Sequence, residues 1–450
     1  MLRRKYEDEI AKYLDMPDQA LLLTGARQTG KTFLIREMSK KTGKKFVEFN
    51  LIERPEIVRL FNESKGADDF LMRLSLLAGG EMEQGNTILF FDEIQEAEDP
   101  VTLIKFLVDE GSYQYVFSGS LLGVELRDIR SVPVGYLHIL EIFPLDFIEF
   151  LTAVGVGKKA LETVHNAYRE KKKVDPFVHE KLLEFFYLYL IIGGMPQAVQ
   201  RYVDTNNLQN VAAVHHDIVT QYKRDFTKYE KRDKLKLEAI YDAIPSELNK
   251  QNKRFIFTYL DKQLKFDRYE NSFLWLKDAG VAVPVYNANE PKLPLEQSKS
   301  SNLFKLFMND VGLLNSFYST EVKLKILHHD SDINNGALFE NAAAQQLAAN
   351  GYPIYYYKSK KYGEIDLLIE KDGKVLPIEV KSGKAYKTHA ALNNLMDDSN
   401  YHIEETLVLS DSNLSTDGKI VYLPIYMASF IKNEELVNPV VKIDPGVLRD

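Results

Sequence analysis

Eight consecutive residues, Gly25-Ala26-Arg27-Gln28-Thr29-Gly30-Lys31-Thr32, match the pattern G-x-x-x-x-G-K-[ST] in full. The pattern has a direct chemical reading. Its glycines let backbone N–H groups wrap a phosphate, and the N-terminus of a following helix adds a favourable dipole. Lys31 is expected to reach the β- and γ-phosphates of a nucleoside triphosphate, and the Thr32 hydroxyl to ligate Mg2+. The nucleotide-binding stretch is expected to run from Gly25 through Phe33. Further along, the apolar run Ile88-Leu89-Phe90-Phe91 delivers Asp92 and Glu93. Asp92, at a strand end, is placed to hold the metal's hydration shell, and Glu93 to polarise the attacking water. Alone, an acidic turn after a core strand says little; the phosphate loop upstream gives it meaning. A third run ends in Phe117-Ser118-Gly119-Ser120. Ser118 or Ser120 could sit between the γ-phosphate and the water, with a plain helix N-cap at Ser120 as the equal alternative. The expected ligands are ATP and Mg2+, although no adenine-reading motif is visible.

A second constellation lies near the C-terminus. Gly363-Glu364-Ile365-Asp366 precedes Pro377-Ile378-Glu379-Val380-Lys381, with twelve residues between Asp366 and Glu379. Glu379 and Lys381 are two apart on one strand, so their side chains share a face. Asp366, on the partner strand of a hairpin, can converge with them, and Glu340 on a preceding helix can complete an acidic cluster. Carboxylates at Glu340, Asp366 and Glu379 would hold a metal. Lys381 beside Glu379 would orient water and offset phosphate charge in phosphodiester hydrolysis. The plainer reading is an exposed strand with an ion pair. Between the two stands a nuclease-like fold that binds without cutting. The pairs His215-His216 and His328-His329 lack metal-ligand spacing and read as surface pairs, and Trp275 reads as core.

The elements that must position these groups follow from periodicity. Strand signals at Ala20–Leu23, Lys45–Leu51, Thr87–Phe91 and Tyr113–Phe117 alternate with helical spacing after Gly30, at Ile57–Phe61, Phe70–Leu77 and Val101–Val108. Such alternation predicts a parallel sheet flanked by helices. From Phe177 to Tyr259 the pattern is almost wholly helical. The uncharged run Phe185–Val199 reads as a buried helix ending at Gly193-Gly194, since a span needs ~20 apolar residues. Arg268–Tyr286 reads as a helix and then a strand, and a helix followed by a β-hairpin suggests a winged-helix-like module with Asn287–Ser301 as wing or loop. After Gly336 come an Ala-rich helix, Ala337–Asn350, and strands at Ile354–Tyr357, Ile365–Ile369 and Val375–Val380. Asp372-Gly373 makes a tight turn between the last two.

On these motifs the N-terminal part resembles the AAA-type branch of phosphate-loop ATPases, in which a glutamate follows the strand-end aspartate. More narrowly, it resembles bacterial and archaeal ATPases that carry a C-terminal domain of unknown function. Phe143-Pro144-Leu145-Asp146-Phe147-Ile148-Glu149-Phe150, Gly193-Gly194-Met195-Pro196 and Asn309-Asp310-Val311-Gly312-Leu313-Leu314 also fit that family. One departure stands out: the family often has Gly-Arg before the Pro-Leu segment, and here Gly135 is followed by Tyr136. Arg127 and Arg130 are nearby replacements with no assigned role. The C-terminal cluster resembles the PD-(D/E)XK nuclease superfamily. Together these imply an α/β chain in three parts: a P-loop NTPase parallel sheet over 1–155, a helical and winged-helix-like region over 156–330, and a small α/β restriction-endonuclease-like domain over 331–450.

Composition bounds the rest. The chain has 450 residues, 45% of them hydrophobic and 27% charged, as in a globular protein. There is no cysteine, which excludes disulfides, thiol nucleophiles and thiolate metal sites. No signal peptide or membrane span is expected, so the location read from the sequence is cytoplasmic. The net charge is −8, yet residues 223–268 hold 13 Lys/Arg against 8 Asp/Glu, a candidate basic face or a solvated helical surface. The resulting expectation is ATP binding and hydrolysis coupled to a nucleic-acid transaction. The rival is an ATP-dependent switch whose C-terminal domain binds a protein or DNA partner without cleavage. The number of subunits is not legible.

Overall fold

The computed structural model describes residues 2–16, 18–80, 82–98, 100–120, 135–229, 234–250, 253–255, 270–330 and 332–433. The first sheet contains β1 (Ala20–Thr24), β2 (Lys45–Asn50), β3 (Thr87–Asp92), β4 (Gln114–Ser118) and β5 (Leu137–Glu141). Its order is β2-β3-β4-β1-β5, and every pairing is parallel. All six residues of β3 are buried, because helices cover both faces. One face packs Leu21, Leu23, Ile88 and Phe90 against Ile10 and Leu34; the other packs Leu22, Leu89 and Phe91 against Phe61, Phe70 and Leu107. A parallel sheet places all strand C-termini along one edge, where α/β sheets bind ligands. The phosphate loop and Asp92 both lie there.

The next segment is helical, with helices Pro176–Ile192, Pro196–Thr205, Leu208–Tyr229 and Lys234–Leu248. Asp175 caps the first of these by accepting from the Phe177 and Val178 amides, and Gly193 ends it at φ 71°. Among the described residues no single helix is long and apolar enough to cross a membrane.

The second sheet has eight strands: β6 (Ala282–Ala288), β7 (Lys299–Met308), β8 (Tyr355–Ser359), β9 (Gly363–Lys371), β10 (Lys374–Val380), β11 (Thr406–Ser410), β12 (Ser415–Asp417) and β13 (Ile420–Pro424). Its order is β12-β13-β11-β10-β9-β8-β6-β7. The helix and hairpin expected near Arg268–Tyr286 form over Glu270–Asp278 and β6–β7, with Arg268 itself outside the described residues. That hairpin is no free-standing wing. β6 pairs in parallel with β8, so the C-terminal sheet begins before residue 331 and shares one apolar core with the helical region. The Asp372-Gly373 turn has φ of 52° and 71°, the left-handed pair that closes a two-residue hairpin, and Lys371 faces Lys374 across it. The helix Gly336–Ala349 is buried from Ala337 to Leu347, which explains its small residues.

Candidate functional site

The loop after β1 takes its shape from glycine. Gly25 has φ 118°, and a Cβ there would lie 2.4 Å from the Ile142 carbonyl oxygen. Gly30 is left-handed and opens the helix Lys31–Thr42. Lys31 is buried, and its ammonium donates to the Gly25 and Ala26 carbonyls at 2.9 Å each. Burial pulls the Lys31 pKa down to about 8, against the opposing pull of Glu93 and Asp92. Thr32 Oγ1 donates to Asp92 Oδ2 at 2.9 Å, so the hydroxyl and carboxylate expected to share a cation meet. Ser118, on the strand between β1 and β3, donates to the other Asp92 oxygen. Burial raises the Asp92 pKa while Ser118 and Thr32 oppose it. Phe33 points outward, 51% exposed.

Glu93 sits at the end of β3 with φ 59° and ψ 46°, a left-handed conformation uncommon outside glycine. Its carboxylate accepts from Gln95 at 2.6 Å and from Ser120 at 3.5 Å. It also faces Arg27 Nη2 at 3.8 Å. Ser118 therefore serves Asp92, and Ser120 is the serine near Glu93. Arg27 Nη1 pairs with Asp225 at 2.5 Å, and Tyr222 donates to the Arg27 carbonyl at 3.2 Å. Gln28 bonds Gln221. The phosphate loop thus rests on the helix Leu208–Tyr229. Arg127 and Arg130 lie outside the described residues.

Arg4 was not legible as a site residue. It is buried, pairs with Glu149 at 3.0 Å, and donates to the Phe143 carbonyl at 2.6 Å and the Thr29 carbonyl at 2.8 Å. Asp146 and Glu149 form a capping box at the start of helix Phe147–Ala153. The three additional family segments meet behind the loop. Leu145 N–H donates to the Gly194 carbonyl at 2.7 Å, and Gly194 N–H donates to Asp310 at 2.5 Å. A Cβ on Gly194 would lie 2.0 Å from the Leu145 carbonyl oxygen, so the backbones approach too closely for any side chain. Burial raises the Asp310 pKa to about 6, with three backbone N–H donors holding it down. His215 departs from the surface reading: it is buried, and its ring bonds the Ile192 carbonyl at 2.9 Å.

The C-terminal cluster also assembles. Glu379 pairs with Lys381 at 2.6 Å, and Asp366 accepts from the Val380 amide at 2.9 Å. Burial, then Asp366, pushes the Glu379 pKa up to about 8. Glu340 pairs with Lys253. The unexpected member is Lys305 on β7, with no exposed surface. Its ammonium lies 2.9 Å from Glu364 and 3.8 Å from both Glu340 and Asp366, with the Tyr356 ring beneath it. Burial works against its charge, but Glu340, Asp366 and Glu364 together raise its pKa. Lysines therefore take up the carboxylate charge that a metal would neutralise. Among the described residues no group of three or more His, Asp or Glu side chains is arranged to hold a metal ion.

Residues 17–151 match the sequence model of a family described as an AAA domain. With its parallel sheet and phosphate loop, this segment is a P-loop NTPase domain. Two further stretches follow the AAA domain: residues 183–324 and 335–427 match families described as domains of unknown function, DUF8612 and DUF4143. Among solved structures, the Walker-type ATPase PABY2304 of Pyrococcus abyssi aligns at 14% identity and TM-score 0.43, over 70% of this chain and 95% of that one. PCH-2 of C. elegans aligns at 13% identity and TM-score 0.28, over 48% of this chain and 67% of that one. No curated protein matches the sequence.

Proposed function

We propose that this chain binds ATP at the AAA domain, hydrolyses it, and uses the nucleotide state to govern partner binding by the C-terminal domain. The contact between Thr32 and Asp92, 2.9 Å apart at the mouth of the phosphate loop, carries the reading. A hydroxyl and a carboxylate are hard oxygen donors and fit Mg2+, which would neutralise phosphate charge when bound. Lys31 neutralises phosphate oxygens and holds the loop. Glu93 accepts a proton from the attacking water. A cavity of about 350 Å3 beside Gly30, lined by Leu2, Phe33, Pro196, Gln197 and Arg201 among others, suits a base with apolar faces and a hydrogen-bonding edge. This supports a purine nucleoside there.

For the C-terminal domain, the lysine-filled cluster favours binding over metal-dependent cutting. The domain's shared core with the helical region, and that region's contact with the phosphate loop, supply a route from nucleotide to partner surface. The test has two arms. Calorimetric titration with ATP, ADP and GTP should show ATP binding that Lys31→Ala removes. Nuclease assays with Mg2+ or Mn2+ on DNA and RNA, on wild type and Glu379→Ala, should show no cleavage; cutting lost in Glu379→Ala would replace the binding reading with a nuclease. Where DNA is bound, the slope of log affinity against log salt counts the phosphate contacts.

A further inference from the structure

We infer that Arg27 is the arginine that stabilises the departing phosphate, supplied from within the phosphate loop itself, and that Asp225 is the residue that positions it. The inference rests on the ATPase reading above. Gly135-Tyr136 leaves the arginine of the resembling family without a counterpart at that place. Arg27 lies between the two glycines of the loop, and its guanidinium faces the carboxylate of Glu93 at 3.8 Å. Glu93 is the group placed to take the proton from the attacking water, so a cation this close to it, rooted in the phosphate loop, lies at the γ-phosphate end of the site. Arg27 also acts on Lys31, whose pKa it helps to lower.

The two ends of the guanidinium are held unequally. Nη1 is bound to Asp225 at 2.5 Å, a full charge-assisted hydrogen bond, whereas Nη2 stands 3.8 Å from Glu93, beyond hydrogen-bond range. A planar fork with one tine anchored can turn the other to a new oxygen at little entropic cost. In the reaction, a water oxygen bonds to the γ-phosphorus as the bond from that phosphorus to the β–γ bridging oxygen breaks. ADP leaves, and the water's proton passes to Glu93. Negative charge spreads over the transferring phosphoryl oxygens, and Nη2 moves from Glu93 onto one of them. The same movement separates the guanidinium from the Glu93 carboxylate. Asp225 stays on Nη1 throughout. It belongs to the helix Leu208–Tyr229, which also bonds the loop through Tyr222 and Gln221, so the catalytic arginine is held by the helical region and not by the AAA domain.

The plainer role for the pair is a tether between loop and helix. Steady-state turnover, and affinities for ADP and for ADP with aluminium fluoride, measured on the full chain, separate the two. Arg27→Ala should lower kcat at least ~10²-fold, change ADP affinity less than about threefold, and lose the tighter binding of ADP with aluminium fluoride. Arg27→Lys should recover little, since one ammonium cannot serve both partners. Asp225→Ala should lower kcat less, and should add nothing in the Arg27→Ala background, because it acts only through Arg27. Equal loss of affinity for ADP and for the aluminium fluoride complex would overturn the proposal in favour of a tether. So would undiminished turnover in Arg27→Ala, or additive losses in the double variant. A wild-type chain that binds ATP without turning it over would overturn both this proposal and the ATPase reading.

Discussion

Replacing Lys305 with methionine tests whether the C-terminal cluster is a lysine-neutralised core. The substitution keeps length and apolar stem but removes the charge. Three carboxylates then lose their shared partner: Glu364 at 2.9 Å, and Glu340 and Asp366 at 3.8 Å. Removing one partner from a buried ion pair costs ~3–5 kcal/mol, because the charges left behind stay desolvated. Protonation of Glu340, whose pKa is already raised by burial and Asp366, relieves part of that cost. The deficit therefore depends on pH. In wild type the raised Lys305 pKa keeps its contribution complete below the unfolded value of ~10.4, so it is constant between pH 5 and 8 as test conditions on that scale. In Lys305→Met the folded state holds more protons than the unfolded state above ~4.3, so stability falls as pH rises. The expected deficit is about 1–2 kcal/mol near pH ~5 and ~3–5 kcal/mol near pH ~8. Urea unfolding followed by fluorescence suits the assay. Trp275 is the only tryptophan and packs edge-on against Phe226, 5.3 Å away, in the core shared with the second sheet. A deficit below about 1 kcal/mol at the higher pH, or one that does not grow with pH, refutes the reasoning.

Other outcomes follow from the same geometry. Lys31→Ala should lose the ATP-dependent rise in melting temperature; a wild-type shift would remove the lysine from the phosphate site. Glu379 has its folded pKa raised to about 8, so its ionisation opposes folding increasingly as pH climbs from the unfolded value of ~4.3. Glu379→Gln should therefore match wild type near pH ~5 and exceed it by at least about 1 kcal/mol above pH ~8, with equal stability at both pH values counting against the assignment. Gly194→Ala puts a Cβ 2.0 Å from the Leu145 carbonyl oxygen, and should cost more than ~3 kcal/mol or prevent soluble accumulation. A melting temperature within a degree or two of wild type would show that the junction is softer than its contacts indicate.

Local chemistry made the phosphate loop legible. Its glycines, lysine and threonine each serve a backbone or phosphate demand that few other residues meet, and the burial of all β3 residues shows in the uninterrupted apolar run. The Asp372-Gly373 turn was legible for the same reason. Features that depend on distant pairing were not. The sequence of β5, Leu-His-Ile-Leu-Glu, has two polar residues in five and shows no clean period; it is a strand because β1 pairs with it on its open side. β6 and β7 read as a local hairpin, and no local signal says that β6 also pairs with β8. Arg4 and Asp225 act on residues far away in sequence, so nothing near them marks the role. Lys305 did leave a trace: a lysine within Leu303-Phe304-Lys305-Leu306-Phe307 is a charge inside an apolar strand, which signals a buried partner.

The most direct test of the central claim is phosphate release from Mg2+-ATP by wild type and Glu93→Gln, with ATP affinity measured on both. The account predicts turnover by wild type, unchanged ATP affinity in Glu93→Gln, and a rate at least ~10²-fold lower. Turnover by Glu93→Gln at the wild-type rate would contradict it.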